Sequence, residues 1–412
     1  MQKKLHRVAK IKRVAIVTIE PHNESKRGNV YEENIANILE EEIRENRISG
    51  AQAACFLNGE KVVHKCAGYS CLETKRRTET DTIYRIYSMT KPVTAVAAMI
   101  LKERGILDFE EPVSKYFPEY EYLRIWGKSG KQKVSLKIRN LLNMDSGIVY
   151  PGPKNVQKEM DKIFEDMKNE DGIGLRYTLR EVIRKIAECP LAFFPGAGWQ
   201  YGLSADILGG IIQEISQMSL GEFLKKEIFV PLEMEDTGFY VPIEKQERFA
   251  ELYRRTESGL KVEKERYLGL TLCLEKPSFE SGGAGLVSTL EDYSHFANML
   301  AGGGLWNQTR ILKRESIQQF TKNCLRENVR KMVGFPQMKG YGYGNLMRCL
   351  VNESEIPGKG KKGEFGWDGW AGPYFMVNLE QKFTILYFTQ ISNYQDWRII
   401  WKIRNVLYDA IL

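Results

Sequence analysis

Histidine is scarce in this chain. There are four in 412 residues: His6, His22, His64 and His295. None has a nucleophile-elbow serine to serve, because G-x-S-x-G is absent, and H-E-x-x-H is absent too. A serine–histidine–aspartate triad is therefore weakly supported, and the helix-borne zinc motif is missing. Gly-rich phosphate loops are missing. No apolar run approaches the roughly 18 residues that a membrane helix needs. The seven cysteines (Cys55, Cys66, Cys71, Cys189, Cys273, Cys324 and Cys349) are odd in number and scattered, which is not a disulfide framework. Cys66 and Cys71 are close, but no second pair or histidine joins them at zinc spacing. Buried reduced thiols of a cytoplasmic protein are expected, with no metal and no organic cofactor.

Acidic residues are missing from the first thirteen positions, which hold Lys3, Lys4, Arg7, Lys10, Lys12 and Arg13. Those six account for nearly all of the formal net charge of +7, so the body of the chain is close to neutral. A nucleic-acid groove needs a basic stripe on the folded body, and no nucleic-acid partner is expected. The leader resembles the start of a secretory signal, but Val14 to Ile19 is a short apolar stretch ended by Glu20-Pro21. A signal needs about 7–15 apolar residues and a small-residue cleavage site. Residues 1–28 are read as a basic N-terminal extension, with a cytoplasmic location and no membrane partner.

The remainder has the composition of a globular protein, 43% hydrophobic and 27% charged. Residues 31–48 show helical periodicity, with Ile35, Ile38, Leu39 and Ile43 on one side. Two β-type runs, Ala51 to Leu57 and Lys61 to Gly68, flank Asn58-Gly59, a strong hairpin signal. A small-residue helix runs over 88–104 to Gly105. Residues 105–275 read as mostly helical, with a charged, exposed helix over 154–168 and apolar-periodic helices over 204–217 and 220–228. Strand signals return at Pro373 to Asn378 and Lys382 to Gln390, and a helix over 395–412 presents Trp397, Ile400, Trp401 and Leu407 to a core. This order predicts an α/β protein of the α+β type, with one antiparallel sheet built from both chain ends and flanked by helices. The expected division is 29–104 with 281–412 as the sheet domain and 105–280 as a mostly helical domain, with the active site between them.

Ser88-Met89-Thr90-Lys91 lies where a short apolar run meets the helix. Serine becomes a nucleophile when a neighbour takes its proton, and a lysine one turn along the helix can do this. A lone S-x-x-K is uninformative, since about one or two arise by chance in a chain of this size. The context is specific. Tyr84 to Leu101, Gly105-Ile106-Leu107-Asp108 through Glu119, Ile138 to Leu142 with Ser146-Gly147, Pro195 to Gly209, Ser281 to Thr289, Gly340 to Gly344 and Phe365 to Gly372 occur in order over nearly the whole chain. In that order they resemble the landmarks of the class C β-lactamase and penicillin-recognising serine hydrolase family.

The resemblance implies a β-lactamase/transpeptidase-like fold and an acyl-serine mechanism. In it Ser88 is the nucleophile, Lys91 orients it and keeps its proton balance, and Tyr201 is general base and then acid. That role asks for a phenol with a pKa lowered by nearby cations. The implied oxyanion hole is the backbone N–H of Ser88 with that of Trp370.

Two positions depart from the lactamase pattern. Leu203 stands where an asparagine follows the tyrosine, and Trp367 heads the third motif in place of lysine. Losing a charge-assisted hydrogen bond to a substrate carboxylate costs about 1.5–3 kcal/mol. A W-x-G third motif resembles the carboxylesterase-like members, which act on neutral esters. Trp367, Asp368, Gly369 and Leu203 are the expected substrate-side residues, and the expected partner is a small ester or amide. Alternatives are a D-amino-acid-directed peptidase or amidase, a weak β-lactamase, and a catalytically silent ligand-binding member. Oligomeric state is left open.

Overall fold

The chain turns back on itself at Asn58 and Gly59, whose φ values of 53° and 85° are the left-handed pair that a tight two-residue hairpin requires. This turn joins β1 (Gly50–Leu57) to β2 (Glu60–Cys71), and the short β3 (Arg76–Arg77) continues the sheet. The protein is described by a computed structural model over residues 21–264, 267–331, 333–394 and 396–411. The basic segment of the first thirteen positions lies outside the described residues.

Five more strands come from the C-terminal part: β4 (Tyr341–Gly344), β5 (Met347–Leu350), β6 (Glu364–Asp368), β7 (Tyr374–Asn378) and β8 (Phe383–Thr389). They join the first three in the order β4-β5-β6-β7-β8-β1-β2-β3. Every pairing is antiparallel. The two chain ends meet at β1 and β8, with Ala51 opposite Thr389 and Leu57 opposite Phe383. The sheet is open and antiparallel, as the alternating apolar runs predict.

Helix α1 (Pro21–Arg44) lies on one face of this sheet. Helices α2 (Thr90–Glu103), α3 (Ser204–Ser216) and α4 (Leu290–Ala301) belong to the other side, and α5 (Trp397–Ile411) packs beside α1. Strand alternation sends side chains to two cores. Cys55, Met376 and Ile385 meet Ile35, Leu39 and Leu407 under the terminal helices. Ala54, Phe365, Trp367, Phe375 and Leu386 belong to the larger core, which continues through Val96 of α2 and Ile211 of α3. Arg404 of α5 pairs with Glu364 of β6 at 2.7 Å, both 1% exposed, and the hydroxyls of Tyr341 and Tyr408 also donate to that carboxylate.

Three expectations need adjustment. The first helix ends at Arg44, because Asn46 takes a φ of 54° and turns the chain into β1. The charged helix spans Gln157–Met167 and buries Met160, Phe164 and Met167, so it is amphipathic rather than exposed. The middle of the chain is less helical than its composition predicts. It includes two small hairpins, Tyr122–Arg124 with Lys131–Lys133 and Tyr253–Thr256 with Gly259–Val262. A separate ribbon pairs Ile83–Arg85 with Val287–Thr289 and delivers the chain to Ser88.

Candidate active site

Tyr87 precedes the candidate nucleophile with φ of 44°, a conformation that non-glycine residues rarely adopt. Strain of this kind persists where surrounding structure fixes it. The ring of Tyr87 is held edge-on to Trp370 at 5.3 Å. Ser88 follows in a single 3₁₀ turn, Tyr87–Met89, that runs directly into α2. The helix winds Lys91 back over Ser88, and its ammonium nitrogen lies 3.1 Å from Ser88 Oγ. Lys91 also donates to the Tyr150 hydroxyl and to the Gly283 carbonyl, each at 2.8 Å.

The lysine is wholly buried, and burial pushes its pKa down to about 7 against the pull of Asp206 and Asp368. At neutral pH it therefore stands at the balance between ammonium and amine. As an amine it keeps two N–H donors and offers a lone pair to the Ser88 hydroxyl.

Tyr201 sits on the other side of this pair. The Lys91 nitrogen is 4.7 Å from its ring centroid. The indole Nε1–H of Trp367 donates to its hydroxyl at 2.9 Å. Burial raises the Tyr201 pKa above the usual phenol range, with the Ser88 hydroxyl and the Trp367 indole pulling it partly back. The lowered phenol pKa expected from the sequence is not what the structure holds, because the desolvation of the ring outweighs its hydrogen bonds. Tyr150 is likewise raised by burial.

Local packing explains why the two tyrosines converge. A Cβ at Gly202 would lie 2.2 Å from the Ile148 carbonyl oxygen, so only glycine lets the segment after Tyr201 rest on the backbone leading to Tyr150. The two rings meet edge-on at 5.5 Å. Tyr150 was not singled out by sequence reasoning. Its one signal is its position four residues after Ser146, just beyond the Ser146-Gly147 landmark.

The Ser281–Thr289 landmark is the floor beneath the lysine. The Gly282 carbonyl accepts from Thr94 Oγ1 at 2.7 Å, and the Leu286 N–H donates to Thr90 Oγ1 at 3.1 Å. Asp206 of α3 accepts from Ser281 Oγ at 2.5 Å and from the Gly283 N–H at 3.1 Å. Burial raises the pKa of this carboxyl.

Gly369 brings the β6–β7 turn against the Ser88 segment. A Cβ there would stand 2.4 Å from the Ile86 carbonyl oxygen. The turn is closed by Gly372 N–H on the Gly369 carbonyl at 3.0 Å, and Tyr394 N–H holds the Trp370 carbonyl at 2.9 Å. Trp370 thus follows directly on the point of closest approach to the Ser88 segment.

The other expected residues are placed differently. Trp367 is 2% exposed and faces Tyr201. Leu203 is 1% exposed and closed within the larger core. Asp368 lies on the sheet face opposite Trp367 and ion-pairs with Arg348. The packing around Tyr201 is aromatic. Trp199 stacks on Tyr201 at 6.0 Å, Phe335 stands edge-on to both, and Tyr343 packs on Trp199 and Trp367. Tyr267 lies against Trp370 at 4.6 Å.

The two histidines with described side chains are elsewhere. His64 meets Gln52 at 3.0 Å, and His295 meets the Leu232 carbonyl at 2.9 Å. Among the described residues no group of three or more His, Cys, Asp or Glu could hold a metal, and no helix is long and apolar enough to cross a membrane.

The sequence model of the Beta-lactamase family matches residues 35–406. The chain belongs to the beta-lactamase family. Among relatives in that family, Esterase EstB of Burkholderia gladioli is 26% identical over 86% of this chain and 89% of its own. Acyltransferase calJ of Penicillium decumbens is 26% identical over 81% of this chain and 82% of its own. Among solved structures, EstCE1, described as a hydrolase with promiscuous acyltransferase activity, superposes with a TM-score of 0.81. It shows 21% identity and covers 92% of this chain and 99% of that one. That likeness establishes the shared fold.

Proposed function

We propose that this protein is a serine hydrolase of small esters, acting through an acyl enzyme at Ser88 and falling with the carboxylesterase-like members of its family. The observation that carries this reading is the Ser88 hydroxyl 3.1 Å from a buried lysine whose pKa burial lowers to about 7. Ser88 Oγ attacks the ester carbonyl, and its proton passes to the Lys91 amine or through Tyr201. The backbone N–H groups of Ser88 and Trp370 receive the oxyanion. The alcohol leaves with a proton from Tyr201, which the proton taken from Ser88 replaces. A water then attacks the acyl-serine, its hydroxyl joining the acyl group and its proton returning by the same groups to Ser88 Oγ as the acid leaves.

An ester is favoured over a β-lactam or a peptide terminus because an indole, Trp367, occupies the position of the lactamase lysine. The two partly exposed rings beside Tyr201, Trp199 and Phe335, offer no cation for a carboxylate. The named activity of Esterase EstB agrees with this. A second reading is acyl transfer to an alcohol in place of water. The aromatic walls favour it, since they lend an alcohol apolar contact that water cannot use.

The test is hydrolysis of p-nitrophenyl acetate and butyrate by the wild type and Ser88→Ala, with nitrocefin in parallel. Ester turnover lost in the variant, with little nitrocefin turnover in the wild type, is expected. Turnover that survives the substitution defeats the reading. Nitrocefin turnover matching the esters defeats the ester preference. Added alcohols that yield new esters would establish the transferase reading.

A further inference from the structure

Beneath the candidate active site lies a charged pair whose carboxylate, Asp368, favours the Lys91 ammonium but takes no part in the proposed proton transfers. Arg348 on β5 is opposite Gly366 on β6, so it shares the terminal-helix face with Glu364 and Asp368. Its guanidinium, on a side chain 3% exposed, ion-pairs with Asp368. Four rings surround it, with centroids at 5.2 Å (Trp397), 5.3 Å (Tyr374), 5.4 Å (Trp367) and 5.6 Å (Tyr341). Its Nη2 has no hydrogen-bond partner among the described residues. Burying a guanidinium with one carboxylate and an unsatisfied nitrogen is costly, and apolar residues of similar volume often serve stability as well or better. The pair therefore asks for a purpose other than packing.

Its place in the chain supplies one. Asp368 is the single residue between Trp367, whose indole holds the Tyr201 hydroxyl, and Gly369-Trp370, which closes on the Ser88 segment. We propose that Arg348 is a positioning residue that acts through Asp368. It fixes the end of β6 so that the Trp367 N–H reaches Tyr201 while the Trp370 N–H points at the reacting carbonyl. A planar guanidinium among four rings has little freedom to turn, and the carboxylate oxygen bonded to its Nη1 is held with it. The proposal rests on the acyl-serine reading above.

The test uses the full chain as Arg348→Met, Arg348→Lys and the double variant Arg348→Met/Asp368→Asn, with p-nitrophenyl butyrate. Arg348→Met leaves a half-buried carboxylate without its partner and is expected to lose both melting temperature and kcat. The double variant removes both charges. It is expected to recover most of the melting temperature while kcat, read on the alkaline plateau so that the lost Asp368 charge beside Lys91 does not enter, stays at least tenfold low and KM moves less than threefold. A double variant that regains wild-type kcat along with its stability overturns the proposal, since the pair would then be purely structural. Should the double variant not fold, Arg348→Lys decides. Loss of the plane packed among the four rings, with the charge retained, predicts at least tenfold lower kcat in protein that remains folded, and full activity overturns the proposal. Ser88→Ala separates the two failures. Ester turnover retained there defeats the acyl-serine reading, whereas its loss beside a fully active double variant defeats only the role of Arg348.

Discussion

Trp367 and Tyr201, 166 positions apart in the chain, are joined by a 2.9 Å hydrogen bond from the indole N–H to the phenol oxygen. The bond fixes where Tyr201 can exchange a proton, and it stabilises negative charge on the oxygen more than the neutral phenol. Trp367→Phe keeps the ring and removes the donor. A hydrogen bond to a group that becomes charged contributes about 1.5–3 kcal/mol, so kcat for p-nitrophenyl esters should fall about tenfold or more with KM little changed. A variant with unchanged kcat would mean that the bond has no part in the reaction.

Lys91 determines the expected pH dependence. Burial holds its pKa at about 7. If the amine takes the Ser88 proton, kcat/KM rises with pH through that value and levels off above it. Asp206 favours the ammonium form, so Asp206→Asn should move this acid limb to lower pH. Lys91→Arg stays charged at all working pH values and should be inactive throughout. Profiles of p-nitrophenyl acetate hydrolysis from about pH 5 to 9 check all three. An acid limb that stays fixed in Asp206→Asn would count against the amine as base.

Tyr150 and Tyr201 should separate by magnitude. Tyr201→Phe removes the group proposed to carry the proton, and such groups contribute about 10²–10⁴-fold. Tyr150→Phe removes one of three acceptors around the lysine, and a loss nearer tenfold is expected, in proportion to about one hydrogen bond to a charged group. Steady-state kcat for both variants distinguishes them, and equal losses would give Tyr150 a proton-transfer role of its own.

Much of this was legible in the sequence. The hairpin at Asn58-Gly59, the sheet from both chain ends and the helix after Ser88 follow from strong local signals: a turn dipeptide, β-type runs and a small-residue helix. The Ser88–Lys91 contact follows from helix geometry alone. Other features depend on contacts between distant segments, which no local pattern encodes. Tyr150 reaches Lys91 only because Gly202 lets two loops touch. The Tyr201 pKa is set by burial, whereas the implied role asks for one lowered by nearby cations. Asp368 turns away from Trp367 because neighbouring strand residues face opposite ways, and its partner Arg348 comes from the adjacent strand.

Phe335 offers a test of the walls. It is 37% exposed and meets Trp199 and Tyr201 edge-on at 5.4 and 5.8 Å. Since Tyr201 is proposed to protonate the leaving alcohol, Phe335 is expected on the alcohol side. Phe335→Ala should cost little stability, about 0.5–1 kcal/mol as for other partly exposed sites. It should change the ranking of acetate esters by alcohol and leave the acyl-chain ranking unchanged. Paired series of esters read by kcat/KM check this, and a shift confined to the acyl series would place Phe335 on the other side.

Whether Ser88 is acylated decides the central claim. The protein is mixed with p-nitrophenyl butyrate, quenched in acid within the first turnovers, digested and mapped by mass spectrometry, with a fluorophosphonate as a stable counterpart. A butyryl group, and in the parallel sample a phosphonyl group, on the peptide at Ser88, with neither in Ser88→Ala, is the expected result. Ester turnover with both labels absent from Ser88, or present on another residue, would contradict the acyl-serine mechanism.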